Sequence, residues 1–154
     1  MKLKNKILTF MLIALFTFVS CGKYDEGPSL SLLSKKARIS GEWEIEKLIV
    51  DGEESDESSL LDAITFILEK DGTGTQKVDA ITYTIGDQTY ETDPQENELE
   101  WELSDDKETF RMRIKDEDEW DDWDEMTIRR LTNSEFWLDQ TEDEVLWEMF
   151  LMKK

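Results

Sequence analysis

Six consecutive residues, Glu98-Leu99-Glu100-Trp101-Glu102-Leu103, alternate acidic and apolar side chains without a break. A period of two places one set on each side of a strand, so this segment has one face for a core and one for water. Residues 108–115 answer it, with Phe110, Met112 and Ile114 on one side and Arg111, Arg113 and Lys115 on the other. A turn at residues 104–107 predicts a hairpin that pairs Trp101 with Phe110, Leu99 with Met112, Glu100 with Arg111 and Glu98 with Arg113. Each pair is apolar or opposite in charge, and each contributes about 0.2–1 kcal/mol. A slip of one residue would set Trp101 against Arg111, so the pattern demands an antiparallel sheet with one buried face.

The rest of the chain repeats this theme. In residues 41–50, Trp43 and Ile45 alternate with Glu44 and Glu46, and a shift of phase after Lys47 towards Leu48 and Val50 predicts a bulge. Residues 51–59 read as a polar loop and 63–70 as a strand, followed by a turn at Asp71-Gly72-Thr73-Gly74. Residues 76–85 return as a strand with Ile81, Tyr83 and Ile85 on one face; Gly86-Asp87 turns, and 89–92 form a short strand before Asp93-Pro94. Strands at 125–131, 136–139 and 145–152 complete the set, joined through 132–134 and 140–144. Ahead of them, residues 29–38 suit a short helix or turn, with Leu30, Leu32 and Leu33 inward and Lys35, Lys36 and Arg38 outward, ending near Ser40-Gly41. Eight or nine strands with turn signals every 8–12 residues indicate an all-β sandwich or up-and-down barrel. The inward set is Trp43, Phe66, Leu68, Tyr83, Trp101, Phe110, Met112 and Trp147.

Composition narrows the function. The formal net charge is -20, and three of the 18 basic residues lie in the first twenty positions while all 38 acids follow them. Nucleic acid is an unsuitable partner, because phosphate binding needs a basic face. An anionic membrane is expected to repel such a domain. Six Trp, seven Phe and three Tyr nevertheless supply the bulk for a core. There is no His and one Cys, which removes Ser-His-Asp and Cys-His catalysis, the usual zinc sites and any internal disulfide.

Residues 1–20 have the layout of a signal peptide: Lys2, Lys4 and Lys6 form a basic start, and an apolar run extends from residue 7 to 19. Thirteen residues are too few to cross a bilayer as a helix, which takes about 20. Phe18-Val19-Ser20-Cys21 resembles the bacterial lipobox, in a variant with Phe where Leu is usual. That resemblance implies cleavage before Cys21 and a diacylglycerol thioether on it, with residues 21–29 as lipid anchor and tether. Two or three acyl chains hold a protein durably, since each buried methylene contributes about 0.8 kcal/mol. The Lys23-Tyr24-Asp25-Glu26 run resembles the surface-export signals of Bacteroidetes lipoproteins, which implies an outer-membrane protein displayed on the cell surface.

Gly41-Glu42-Trp43, following a short N-terminal turn, resembles the Gly-x-Trp motif of the lipocalin superfamily. Lys23-Tyr24-Asp25-Glu26 together with Ser34-Lys35-Lys36-Ala37-Arg38 resembles the starts of small lipocalin-like lipoproteins of Bacteroidetes. The resemblance spans roughly residues 21–154, though later lipocalin motifs are not recognisable. It implies an antiparallel up-and-down barrel of about eight strands over residues 30–154. Trp43 and Gly41 would then close its narrow end, and a basic residue, Lys153 or Arg130, would pack over the indole. It also implies a small apolar ligand, for which Phe66, Leu68, Tyr83, Trp101, Phe110, Met112 and Trp147 are the candidate lining residues. In a barrel of this size such side chains either fill the interior or line a cavity. A filled barrel would instead be a structural subunit, docking through its loops to another envelope protein.

Two other chemistries fit less well. The acids at 116–124 invite calcium, but an EF-hand loop counted from Asp116 needs Gly at its sixth place and Glu at its twelfth, where Asp121 and Thr127 stand. Trp120 and Trp123 beside carboxylates suggest sugar binding or glycoside hydrolysis, yet among 38 acids some pair meets the required spacing by accident. One of these Trp is expected in the core and the other on a rim. The expectation is a non-enzymatic protein with no metal and no cofactor.

Overall fold

A computed structural model describes residues 33–55, 58–116 and 118–154. The leader, Cys21, the tether, Leu30 and Leu32 lie outside the described residues. Helix α1 (Lys35–Ile39) leads into β1 (Gly41–Val50), β2 (Glu53–Glu54), helix α2 (Ser58–Leu61), β3 (Ile64–Leu68) and β4 (Thr73–Val78). Then come β5 (Thr82–Ile85), β6 (Gln88–Glu91), β7 (Gln95–Leu103), β8 (Thr109–Asp116), β9 (Glu119–Trp120), β10 (Asp124–Leu131), β11 (Glu135–Glu142) and β12 (Val145–Lys153). Strands β1, β3, β4, β7, β8, β10, β11 and β12 pair in that circular order, and β12 closes onto β1. The result is a closed antiparallel up-and-down barrel of eight strands, which leaves no open sheet edge in the ring.

Alternation positions the core. Trp43, Ile45, Phe66, Leu68, Leu99, Trp101, Phe110, Met112, Ile128, Phe136, Leu138 and Leu151 are buried in one cluster inside the ring. The bulge in β1 falls at Glu46: Ile45 faces Leu151 and Lys47 faces Phe150, so the extra residue restores the inward phase at Leu48. A second bulge at Arg129 does the same between Ile128 and Leu131.

Several expectations are corrected. The β7–β8 hairpin pairs Trp101 with Met112, Leu99 with Ile114, Glu100 with Arg113 and Glu102 with Arg111, two residues from the predicted register. Its turn comprises residues 105–108, because Ser104 and Thr109 form the closing pair and Asp106 accepts from the Glu108 amide. Lys107 supplies the left-handed corner at φ 63°. A shift of two keeps every side chain on its predicted face, so pattern alone could not separate the two registers.

The predicted strand 76–85 ends at Val78, and Thr82–Ile85 instead pairs with Gln88–Glu91 in a separate two-stranded hairpin. Tyr83 therefore sits outside the barrel, 45% exposed, stacked on Tyr90. The last connection is only Asp143-Glu144, both at positive φ. Around α1 two expectations are reversed and one holds: Leu33, just before the helix, is 49% exposed, and Arg38 is buried and donates to the Leu131 carbonyl at 2.6 Å, while Lys36 is exposed. Neither Trp120 nor Trp123 is in the core. Both rings lie within 4.8 Å of the Arg113 guanidinium, which also pairs with Glu100.

Candidate functional site

The two ends of the barrel differ because the connections at one are all short, while those at the other are long except for a single two-residue turn. Residues 69–72, 104–108 and 132–134 turn at the end where α1 packs, here called the base. Connections 51–63, 79–94, 117–123 and 143–144 lie at the other end, the mouth.

The base is sealed by side chains. Gly41 has φ 139°, and a Cβ there would fall 2.2 Å from Cε of Lys153, so glycine is what lets the last strand's lysine cross over. Lys153 Nζ donates to the Ser40 carbonyl at 2.6 Å and to that of Arg38 at 3.3 Å, and stands 5.1 Å from the Trp43 ring centre. Trp43 is fully buried and donates from Nε1 to the Ile39 carbonyl at 2.6 Å. Burial lowers the Lys153 pKa, because the ammonium loses water. Arg130, the other candidate, is held instead by Glu135 and the outer face of Trp137.

Above the seal, four rings cross the lower barrel in sequence. Trp101 meets Phe110 at 5.8 Å, Phe110 meets Phe136 edge-on at 5.2 Å, and Phe136 meets Trp43 at 5.7 Å. Such pairs are each worth about 0.5–1.5 kcal/mol beyond burial. Phe66, Leu68, Trp101, Phe110 and Met112 are thus brought together in a packed floor.

The upper half is different. Following each strand's inward face towards the mouth gives Leu48, Val50, Ile64, Gln76, Val78, Asn97, Ile114, Gln140 and Met149, all only half-buried. Gln76 and Asn97 bond to each other at 3.2 Å across β4 and β7. Trp147, in phase with Met149 and paired with Val50, stands at the lip and is 38% exposed. It belongs to the rim rather than to the buried interior, because β12 begins only two residues earlier. Tyr83, carried on the β5–β6 hairpin, joins neither layer. The polar members of this layer, Gln76, Asn97 and Gln140, were missed in the sequence because they are polar residues on an inward face; the alternation that places them was available.

A concavity lies at the base. A groove of about 390 Å³ is lined by Lys35, Lys36, Lys70 and Lys107, with Ser34, Leu103, Ser104 and Asp105. Nothing in the sequence pattern brings these four lysines together; α1 and two separate turns do.

No family model matches the chain, and no curated protein or solved structure matches it. Fold and site define a closed eight-stranded antiparallel barrel with a sealed base and a partly accessible upper interior.

Proposed function

We propose that this is a lipid-anchored, non-enzymatic protein of the bacterial envelope that takes a small apolar ligand through the mouth of its barrel. The observation that carries the ligand reading is the half-burial of inward-facing Leu48, Val50, Val78, Ile114 and Met149 above a fully buried aromatic floor. Side chains that point into a closed ring yet remain accessible border a concave space, and apolar walls with a few polar groups are what small-molecule sites share. Gln76, Asn97 and Gln140 would orient a polar end of the ligand. The Lys153–Trp43 seal fits the base closure that the lipocalin resemblance implies. The lipobox-like run ending in Cys21 supports the anchor and an outer-membrane location. The absence of His supports a binding role over catalysis.

Native mass spectrometry of the chain purified from its source cell tests the ligand reading. The expected result is a co-purifying small molecule that is lost in a Trp147→Ala, Val78→Asp variant with an intact barrel. An empty protein that also takes up no apolar probe overturns it. The mass of the N-terminal peptide tests the anchor separately: acylated Cys21 is expected, and an unmodified residue there overturns it.

A further inference from the structure

The fold sorts charge along the barrel axis. Among the described residues, the mouth segments 51–63, 79–94, 116–124 and 142–146 contain four, four, six and three acidic residues and no Lys or Arg. At the base the turns 69–72 and 104–108 still carry five acids against two lysines, and the cations gather within one groove. Lys35 and Lys36 come from α1, Lys70 from the β3–β4 turn and Lys107 from the β7–β8 turn, and all four line one groove. Asp105 is the only acid lining it among the described residues. Lys35 Nζ reaches the Lys107 carbonyl at 3.0 Å, tying the helix to the turn, and Lys36 Nζ stands 5.6 Å from the Trp101 ring centre. Leu103 adds an apolar residue to the lining.

We propose that this groove binds a phosphate-bearing anion. Overall negative charge does not argue against it. Barrel strands of five to ten residues separate base from mouth by roughly 15–20 Å, and charge at that distance is screened when the Debye length is about 8 Å. Within the groove an approaching anion meets four lysines and Asp105, with Glu69, Asp71, Asp106 and Glu108 on the flanking turns, rather than the acids of the mouth. Phosphate suits the site because four lysines line one groove with a single acid among its lining residues, while the Ser104 hydroxyl is already bonded to Asp106. The ligand chemistry is shared by a phospholipid headgroup and a free phosphate compound. The site stands independently of both the acyl anchor and the mouth ligand.

The test uses the full chain in micelles of a neutral detergent, observed by amide chemical shifts. One arm adds inorganic phosphate; the other dopes the micelles with phosphatidylglycerol. The expected result is a saturable shift centred on Lys36, Lys70, Ser104 and Lys107 with the mouth loops unmoved. A response to phosphate assigns the free anion, and a response to phosphatidylglycerol alone assigns the headgroup. The variant Lys36→Ala, Lys70→Ala removes two cations worth about fivefold each near an anionic surface, so affinity should fall roughly twentyfold to thirtyfold. Lys36→Arg, Lys70→Arg should retain it. No shift in either arm, or equal affinity in the Ala variant, overturns the proposal.

Discussion

The ammonium of Lys153 lies 5.1 Å from the centre of the Trp43 indole while donating to the Ser40 carbonyl at 2.6 Å. The last strand is thereby locked to the turn that precedes the first. Replacing it by Met keeps the stem but leaves two carbonyls without their donor, and should cost about 1–2 kcal/mol in chemical denaturation. The pH dependence has a definite sign. Burial lowers the folded-state pKa below 10.5, so between that lowered value and 10.5 the unfolded chain binds the extra proton and stability rises with pH. Neutral lysine still donates, so the rise should be present in the wild type and missing from Lys153→Met. Lys154 acts oppositely and in a higher window: Glu44 raises its pKa, so its contribution is lost above 10.5. Melting temperatures taken from pH 7 to 10 read the Lys153 effect.

Gly74 faces Leu68 in β3 and Leu99 in β7. A Cβ there would lie 2.3 Å from the Ile67 carbonyl oxygen and 2.7 Å from Cδ1 of Leu99. The side chain of Leu99 has room to adjust; the ladder carbonyl does not. Gly74→Ala should therefore destabilise by about 1–3 kcal/mol, as overpacking does. Trimming Leu99 to Val in the same chain should fail to restore stability. Recovery on trimming would show that the clash is with the side chain alone.

The β11–β12 connection is a two-residue turn with Asp143 at φ 50° and Glu144 at φ 68°. Both values belong to a type I′ turn, which favours Asn-Gly. Asp143→Asn with Glu144→Gly should raise stability by about 0.5–1 kcal/mol, mainly through relief at position 144. It also removes two acids from the mouth. Thermal unfolding at low and high salt separates the backbone gain, which persists in salt, from the electrostatic one, which does not.

On the outer face, the Arg113 guanidinium lies 4.8 Å from the Trp120 ring centre and 4.7 Å from that of Trp123, and is paired with Glu100. Arg113→Ala should cost about 1–2 kcal/mol, from contacts of roughly 0.5–1 kcal/mol each. Indole emission should shift to the red as Trp120 and Trp123 gain water. Arg113→Lys should recover little, since a compact ammonium cannot stack on two rings and hold a carboxylate. An unchanged spectrum in Arg113→Ala would mean the rings are held by something else.

Much of the architecture was legible because it depends on a local period. Glu98 to Leu103 declares its buried face residue by residue, and the phase slip near Lys47 announces a bulge that the structure places at Glu46. Tyr83 shows where that logic stops. Ile81, Tyr83 and Ile85 alternate as well as any barrel strand, but their hairpin folds back on itself, and Ile85 is 67% exposed. Arg38 shows the converse: a charged residue goes inside because the Leu131 carbonyl at the end of β10 needs a donor.

The sequence by itself determined that this chain would form antiparallel strands with one apolar face, since side-chain direction along a strand follows from the backbone alone. It also set which residues share each face, because a two-residue register shift leaves the faces unchanged. Only the tertiary structure decided the register of β7 on β8, the closure of β12 onto β1, and the lysine over Trp43. It also decided the division between packed floor, accessible upper wall and lysine groove. Those depend on turn geometry and on contacts between residues far apart in the chain, for which no local period carries information.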